Sequence, residues 1–570
     1  MSIVAITEAS SSNLTSADLQ ELAVQLGIKI SNSKDLDDYL LLLKSFEVVL
    51  EKIKDRPDYV HPSLKPQVVS TSREFWRPST HDNPLNAWSH RCELVSVSPV
   101  SDVLKNRTIA IKDNISVGGL PTTLGAPSTA QSANGEPELS YVDATVVSRI
   151  LEAGAVIKGT STCECFCASP LSFTSNTGLV HNPRLHGFTA GGSSSGSCVL
   201  VAAHFLASES NEHYGETAEL AIGSDQAGSV RIPASFNGIY GLKPTFGLIP
   251  YTGAASMSPM IDHIGPLASR LEDIAALLEV MAGYDGLDSR MSPEAPLRSG
   301  VKPYSKILAN FRKQFQLKPR MNLGWSVGLL KESFEMDGVS LEVRKIVHEA
   351  ATRCFTAAGV TVKEISVPMH RDGPIIWTAS TRPSMSSPLC QGKTPGYLSF
   401  LPPHLQSQWP PSQDWYEKMT KLNPALVNIW FSEKYAEKFS NPAIQAKAHR
   451  KVFELRDAYD RALNEVDVLV TPCAPTVAMP HPKAVESEDP SASILDRLAT
   501  AVGVTSNTCP FNVTGHPGLN VPCGFVSVPN HPDVQLPVGM QLVGRRWMDE
   551  ELLQAAALFE IGQELCSKQI

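Results

Sequence analysis

The sequence predicts an α/β protein: a mixed β-sheet core covered by helices on both faces, with an all-helical N-terminal extension and an inserted smaller α/β domain. Three observations carry this. The first ~55 residues pattern as a helical hairpin, residues 107–159 read as strand, helix, strand, and the same texture returns near Met321. At ~150 residues per domain, a chain of 570 residues also predicts three to four units. The expected boundaries are an extension and linker at 1–88, a core split between 89–320 and 455–570, and the insertion at 321–454.

Each element has its own signal. Ser16 can cap a helix carrying Leu19, Leu22, Ala23 and Leu26, with Gly27 as its stop. A second helix runs from about Asp35 to Asp55, apolar at Leu36, Tyr39, Leu40, Leu43, Phe46, Leu50 and Ile53, and Arg56-Pro57 should end it. Two helices cannot bury both apolar faces alone, so the hairpin is expected to dock on the main body or to build a homodimer or higher homo-oligomer. Pro57, Pro62, Pro66, Pro78 and Pro84 mark an irregular connection. RTIAIK (107–112) reads as a strand, Ala144 to Ala153 as a helix stopped by Gly154, and AVIKG (155–159) as the next strand. GWSVGLL, a helix from about Ser340 to Ala358, Gly359 and TVKEISVP repeat the pattern, and a Pro- and Trp-rich stretch follows to about Pro424. LRDAYDRALNEVDVLVTPCAPT (455–476) returns to helix then strand, and PVGMQLVGRR (537–546) reads as a core strand. The chain shows no internal repeat.

Composition excludes several classes. With 42% hydrophobic and 19% charged residues the chain must bury a large interior, which rules out disorder throughout. A net charge of −9 without long runs of one sign argues against a nucleic-acid partner and leaves a small molecule as the expected one. Eleven cysteines are scattered, clustering only at Cys163, Cys165 and Cys167, and are read as reduced thiols. MSIVAITEASSSN lacks a basic region and an apolar run, and no stretch reaches the ~18 to 20 apolar residues of a membrane span. No membrane association and a cytoplasmic location are expected. The Asn13, Asn106, Asn114 and Asn512 sequons are then chance matches.

Three segments combine glycine, serine and one lysine where packing alone would not put them. Ile109-Ala110-Ile111-Lys112-Asp113-Asn114 ends a strand on a lysine among apolar neighbours. TAGGSSSGS (189–197) flows straight into the apolar run CVLVAAHFLA, which a flexible linker would not do. AIGSDQAGSVRIPA (221–234) leads into GIYGLKPTFGLIP. Lysine can deprotonate a serine only in its neutral form, and desolvation by Ile109 and Ile111 favours that form.

In this order the segments resemble the amidase signature family of serine hydrolases, and DVLVTPCAPT, FNVTGHPGLNVPCG and LPVGMQLVGR extend the likeness over roughly residues 90 to 560. The chain is most similar to bacterial and fungal amidases with a helical N-terminal extension, and lacks the membrane-binding segment of the fatty acid amide hydrolases. The resemblance implies a cofactor-free, metal-free enzyme with Ser229 as nucleophile, Ser193 as a bridging serine held by a cis peptide, and Lys112 as base. It also implies an oxyanion hole from the amides of Gln226, Ala227, Gly228 and Ser229. Here Ala227 replaces the commoner glycine, which disfavours positive φ and narrows the approach. The polar insert SESNEHYGETA (208–218) lengthens the link between Ser193 and Ser229, as surface loops allow. Ser194, Asp225 and Arg231 are expected to support the nucleophile turn, and Trp377 and Trp409, with the stretch to Trp415, to wall the substrate pocket. The implied reaction cleaves the C–N bond of a small carboxamide through an acyl-enzyme. Carbamate esters (urethanes) and esters present the same carbonyl. The alternative is the glutamine-hydrolysing subunit of a tRNA-dependent amidotransferase, and a scaffold that has lost catalysis is opposed by the intact Lys112, Ser193 and Ser229.

Three rival motifs are weaker. Gly192-Ser193-Ser194-Ser195-Gly196 fits G-x-S-x-G, with Ser194 as nucleophile and His516 as base, but HGFTAGG does not read as the strand an elbow needs. The cysteine cluster has no CxxC or histidine pair to complete four metal ligands. Gly392-Lys393-Thr394 imitates the end of a phosphate-binding loop, yet Ser387 stands where the earlier glycine is required.

Overall fold

The computed structural model describes residues 9, 11–132, 135–209, 212–317, 324–394, 398–486 and 493–568. The opening segment read for a leader, the middle of the 208–218 insert and Met321 lie partly or wholly outside them. The chain forms two compact units, Met1–Pro62 and Ser63–Ile570. In the first, helices Ser16–Gln25 and Ser33–Lys54 match the predicted hairpin with earlier caps: Thr15, not Ser16, accepts the Asp18 amide and closes a capping box, and Asn32 caps the second helix.

The second unit holds strands β1 (Trp88–Val95), β2 (Thr108–Lys112), β3 (Val156–Ser161), β4 (His181–Asn182), β5 (Leu185–Thr189), β6 (Leu220–Asp225) and β7 (Tyr240–Lys243). They are followed by β8 (His263–Ala268), β9 (Ser326–Leu330), β10 (Thr361–Ile365), β11 (Val468–Pro472), β12 (Gly518–Val528) and β13 (His531–Val543). Eleven of these form one mixed sheet in the order β1-β3-β2-β6-β8-β7-β12-β13-β11-β9-β10, while β4 and β5 pair separately. β3-β2-β6 and β11-β9-β10 run parallel, and the β6-β8-β7-β12-β13-β11 stretch is antiparallel. Strands β9 and β10, from the 321–454 segment, thus extend the common sheet. The 454/455 boundary falls inside the continuous helix Ala443–Ala462.

Alternation along the parallel strands decides where the lysine goes. Ile109 and Ile111 of β2 and Leu220 and Ile222 of β6 face a core shared with helices Leu271–Met281, Leu341–Ala357 and Asp549–Ser567. Ala110 and Ala221 face the opposite core, under helix Ser195–Ala207. Period two then puts Lys112 on the Ala110 side, facing the start of that helix. The helix is buried at every position from Ser195 to Ala203. It is apolar all round because it lies inside the unit rather than on its surface. Its approach is close enough that a Cβ on Gly196 would lie 2.2 Å from the Ala87 carbonyl oxygen.

Helix Thr145–Glu152 ends before Gly154, whose φ of 83° reverses the chain into β3, and Ser340 caps Leu341–Ala357 before Gly359 at φ 80°. Replacing Ile222, fully buried between two helix layers, with alanine is expected to cost about 2–5 kcal/mol of unfolding free energy. Urea unfolding measures it, and a loss under ~0.5 kcal/mol, the size of a surface change, would contradict this packing.

Candidate active site

Lys112 closes β2 and is fully buried. Its Nζ lies 2.7 Å from Ser193 Oγ, 2.9 Å from Ser224 Oγ and 3.3 Å from the Ser224 carbonyl oxygen. None of the ion pairs among the described residues includes it. Two hydroxyls and a carbonyl are thus the hydrogen-bond partners of this amine, and no carboxylate is among them. Ser224, at the end of β6, has no signal of its own in the sequence, although it sits inside the GSDQAGS segment.

The loop carrying Ser193 lies between β5 and helix Ser195–Ala207, and its Gly192–Ser193 peptide is cis. Glu164 organises it from below. Its amide donates to the Ser193 carbonyl at 3.3 Å, and its carboxyl accepts from Ser195 Oγ at 2.9 Å and from Thr174 N and Oγ1 at 2.7 Å. Burial pushes this carboxyl up to about 7 against the donors that favour its anion.

Ser229 sits in the turn between β6 and helix Arg231–Asn237 and is 7% exposed. The Ser194 amide donates to the Ser229 carbonyl at 3.2 Å, which ties the two serine loops together. The Ser193 and Ser229 hydroxyls are not hydrogen-bonded to each other among the described residues; catalytic hydrogen bonds commonly tighten only when substrate is bound.

Of the four amides expected to form an oxyanion hole, that of Gly228 is already committed, donating to Asp225 Oδ1 at 2.6 Å. Those of Gln226, Ala227 and Ser229 have no acceptor among the described residues. The positive φ of the turn falls on Gly228, at 137°, and Ala227 does not need it. A Cβ on Gly228 would come within 2.3 Å of Thr508 Oγ1, which itself donates to the Ala227 carbonyl at 2.6 Å.

Beneath the turn, all five guanidinium N–H groups of Arg231 are used. Nε and Nη2 bind the two Asp225 oxygens at 2.9 and 3.0 Å, Nη2 also binds Asn512 Oδ1, and Nη1 binds Gln541 Oε1 and the Thr508 carbonyl. Asp225 accepts further from the Val230 amide and from Asn512 Nδ2. Burial opposes its ionisation, but Arg231 outweighs that and holds the carboxyl well below the usual carboxylate range. Sequence reasoning misses Asn512, Thr508 and Gln541 as individual residues, and Asn512 shows there only as a sequon.

Trp377 donates its indole N–H to the Gln226 carbonyl at 3.0 Å and so borders the nucleophile turn. Trp409 instead packs edge-on against Trp415 and Trp430, with ring centroids 6.4 and 6.0 Å away. β5 corrects the expectation that HGFTAGG holds no strand, because Leu185–Thr189 pairs with β4. It lies outside the main sheet and ends before Ala190-Gly191-Gly192, so no strand leads directly into Ser194. Ser194 Oγ donates to the Ser224 carbonyl at 3.2 Å, and His516 is engaged by Thr514 and Asp460, so the serine–histidine pair of the elbow is not assembled.

The chain matches the family described as Amidase over residues 96–553. It is 33% identical to the enantioselective amidase of Rhodococcus rhodochrous, over 86% of this chain and 85% of the relative. It is 31% identical to a glutamyl-tRNA(Gln) amidotransferase subunit of Methanosarcina mazei, over 81% of this chain and 85% of the relative. Among solved structures, the corresponding amidotransferase subunit of Thermotoga maritima superposes with a TM-score of 0.61 at 25% identity, over 84% of this chain and 87% of that one.

Two outcomes test this electrostatic frame. Asp225→Asn strands a buried guanidinium and is expected to cost about 3–5 kcal/mol of stability, read by chemical denaturation. The Glu164 carboxyl titrates higher in the folded chain than its ordinary 4.5, so between about 4.5 and 7 the native state binds a proton that the unfolded chain has released. Raising pH through that window should therefore lower the melting temperature of the native protein relative to Glu164→Gln, and parallel melting curves from pH 5 to 8 would contradict it.

Proposed function

We propose, from the premise that the chain belongs to the amidase family, that it hydrolyses the C–N bond of small carboxamides through an acyl-enzyme on Ser229. One observation carries this reading: a buried Lys112 amine, without an ion pair, 2.7 Å from Ser193 Oγ. In the proposed cycle neutral Lys112 takes the proton of Ser193, Ser193 takes that of Ser229, and Ser229 Oγ attacks the carbonyl carbon. The free amides of Gln226, Ala227 and Ser229 receive the oxyanion, where one such donor is worth about 3–4 kcal/mol. The proton returns through Ser193 to the departing amine, and water then releases the acid by the reverse relay. Tethering base and relay in one hydrogen-bonded cluster removes the entropic cost of assembling them for each turnover. Carbamate esters and esters fit the same steps. The proposed substrate is a free small molecule, with no nucleic acid, membrane or cofactor needed for the chemistry.

A second reading is favoured by the likeness to the amidotransferase subunits: glutamine would be the amide, and ammonia would pass to partner proteins. Net charge of −9 and the N-terminal helices weigh against it. Release of acid from aliphatic and aromatic amides, glutamine and ethyl carbamate separates the two. Turnover by the chain alone supports the amidase, and glutamine turnover that appears only with added partner subunits supports the second reading.

A fluorophosphonate should add to Ser229 alone, as intact mass and peptide mapping would report. Ser229→Ala and Lys112→Met should each lower kcat at least about 10³-fold. An unlabelled Ser229 in protein that still hydrolyses amides would refute the mechanism.

A further inference from the structure

The hydrolysis proposed above takes amides and esters alike, because it uses only the carbonyl they share. One side chain of the nucleophile turn can tell them apart. Gln226 lends its main-chain amide to the oxyanion, but its carboxamide has no part in that cycle. It is buried, and its Nε2 donates to Tyr251 Oη at 2.8 Å. Asn114 Nδ2 reaches the same oxygen at 3.4 Å, and the Tyr251 hydroxyl donates to the Ala255 carbonyl at 2.9 Å. The tyrosine hydrogen is thereby used, so the Gln226 carboxamide must turn its N–H to Tyr251. Its Oε1 then points elsewhere and has no donor among the described residues. A buried acceptor left unpaired is costly, and folded proteins keep few of them.

Gln226 lines a hollow of about 10 Å³ with Leu124, Phe166, Cys167, Met257 and Leu389. Printed along the chain, its walls belong to all three catalytic segments. The Leu124 amide donates at 3.0 Å to the carbonyl of Asp113, the residue after Lys112. The Cys167 amide donates to the Glu164 carbonyl at 2.7 Å, and the Glu164 amide donates in turn to the Ser193 carbonyl at 3.3 Å. Gln226 itself opens the turn that carries Ser229. The hollow has room for about one water, which is also the size of one –NH₂ group. Among the described residues that line it, Gln226 alone has a side-chain oxygen.

We infer that Gln226 Oε1 is a specificity determinant that accepts an N–H of the scissile amide and so favours amides over esters at this site. The inference rests on the hydrolysis proposed above. In the tetrahedral intermediate the nitrogen takes the Ser193 proton on its lone pair, the oxyanion re-forms the carbonyl, and the C–N electron pair leaves with the amine. Positive charge grows on the hydrogens of that nitrogen as it is protonated, so an acceptor on one of them binds the transition state more strongly than the ground state. An ester oxygen in the same place has no hydrogen to offer and sets its lone pairs against Oε1.

The amide of the panel above that turns over fastest is paired with the methyl ester of the same acid. Both give one acyl-enzyme, and kcat/KM on each reports acylation, the step in which nitrogen or oxygen departs. The amide-to-ester ratio of kcat/KM is measured in the native full chain, in Gln226→Met, which removes the acceptor, and in Tyr251→Phe, which unties the carboxamide without touching substrate. It should fall at least about tenfold in Gln226→Met and move the same way in Tyr251→Phe. Gln226→Glu keeps an oxygen there and should hold the ratio nearer its native value. A glutamine that only supports the turn would lower both constants together and leave the ratio where it was. A native ratio in Gln226→Met protein that still takes a fluorophosphonate on Ser229 would overturn this inference alone. Should Gln226→Met fail to take the label, Tyr251→Phe decides, and a native ratio there overturns it. A native chain that hydrolyses neither substrate and leaves Ser229 unlabelled removes the proposed hydrolysis and this inference with it.

Discussion

An amine taken out of water with no opposite charge is the constraint on which the rest of the site depends. Lys112 sits fully buried at the end of a strand, on the face opposite Ile109 and Ile111, and every partner of its Nζ is a hydroxyl or a carbonyl. A carboxylate in their place would favour the ammonium form, which could not act as the base of the proposed cycle. The central position of β2, between β3 and β6, keeps water from the amine and brings both serine loops to the same end of the parallel strands. Open parallel sheets place ligands at that end for the same topological reason.

The turn that carries Ser229 is built on an ion pair instead. Asp225 and Arg231 form a fully buried ion pair, and it persists because every donor of the guanidinium has an acceptor. Such a pair adds little stability over an apolar substitute, but breaking it is costly, so it fixes one geometry. Its partners reach from β6 to Gln541 on β13, so the turn is held by the far half of the sheet. A buried amine outside any ion pair on one side of Ser229 and a satisfied ion pair on the other leave the serine beside amides that have no acceptor of their own.

How much of this can be read in the sequence follows from what each feature depends on. The strand-helix-strand unit at 107–159 and the helices at 145–152 and 341–357 rest on local periodicity and stop glycines, and they are legible. Lys112, Ser193 and Ser229 stand out because glycine and serine crowd where packing does not call for them. β8 does not, since HIGPLA is buried at every position and shows no alternation, and it carries Gly265 and Pro266. β12 is broken by a register shift at Pro522/Gly524 and is equally silent. Thr508, Asn512 and Gln541 are illegible for a different reason. Their partners lie far along the chain, as much as 310 residues for Arg231 and Gln541, and no window of sequence contains both.

Two of the four sequons acquire a meaning from burial. Asn13 and Asn106 are exposed, but Asn114 and Asn512 are completely inaccessible. The Asn512 amide nitrogen donates to both the main-chain and side-chain oxygens of Asp225, at 3.0 and 2.9 Å, so both its hydrogens are used. A sugar attached to that nitrogen would remove one bond and would need room where the sheet and the nucleophile turn meet. Glycosylation at this asparagine and the folded active centre are therefore mutually exclusive, and a secretory expression host that modified the nascent chain there would yield protein unable to close its own nucleophile turn.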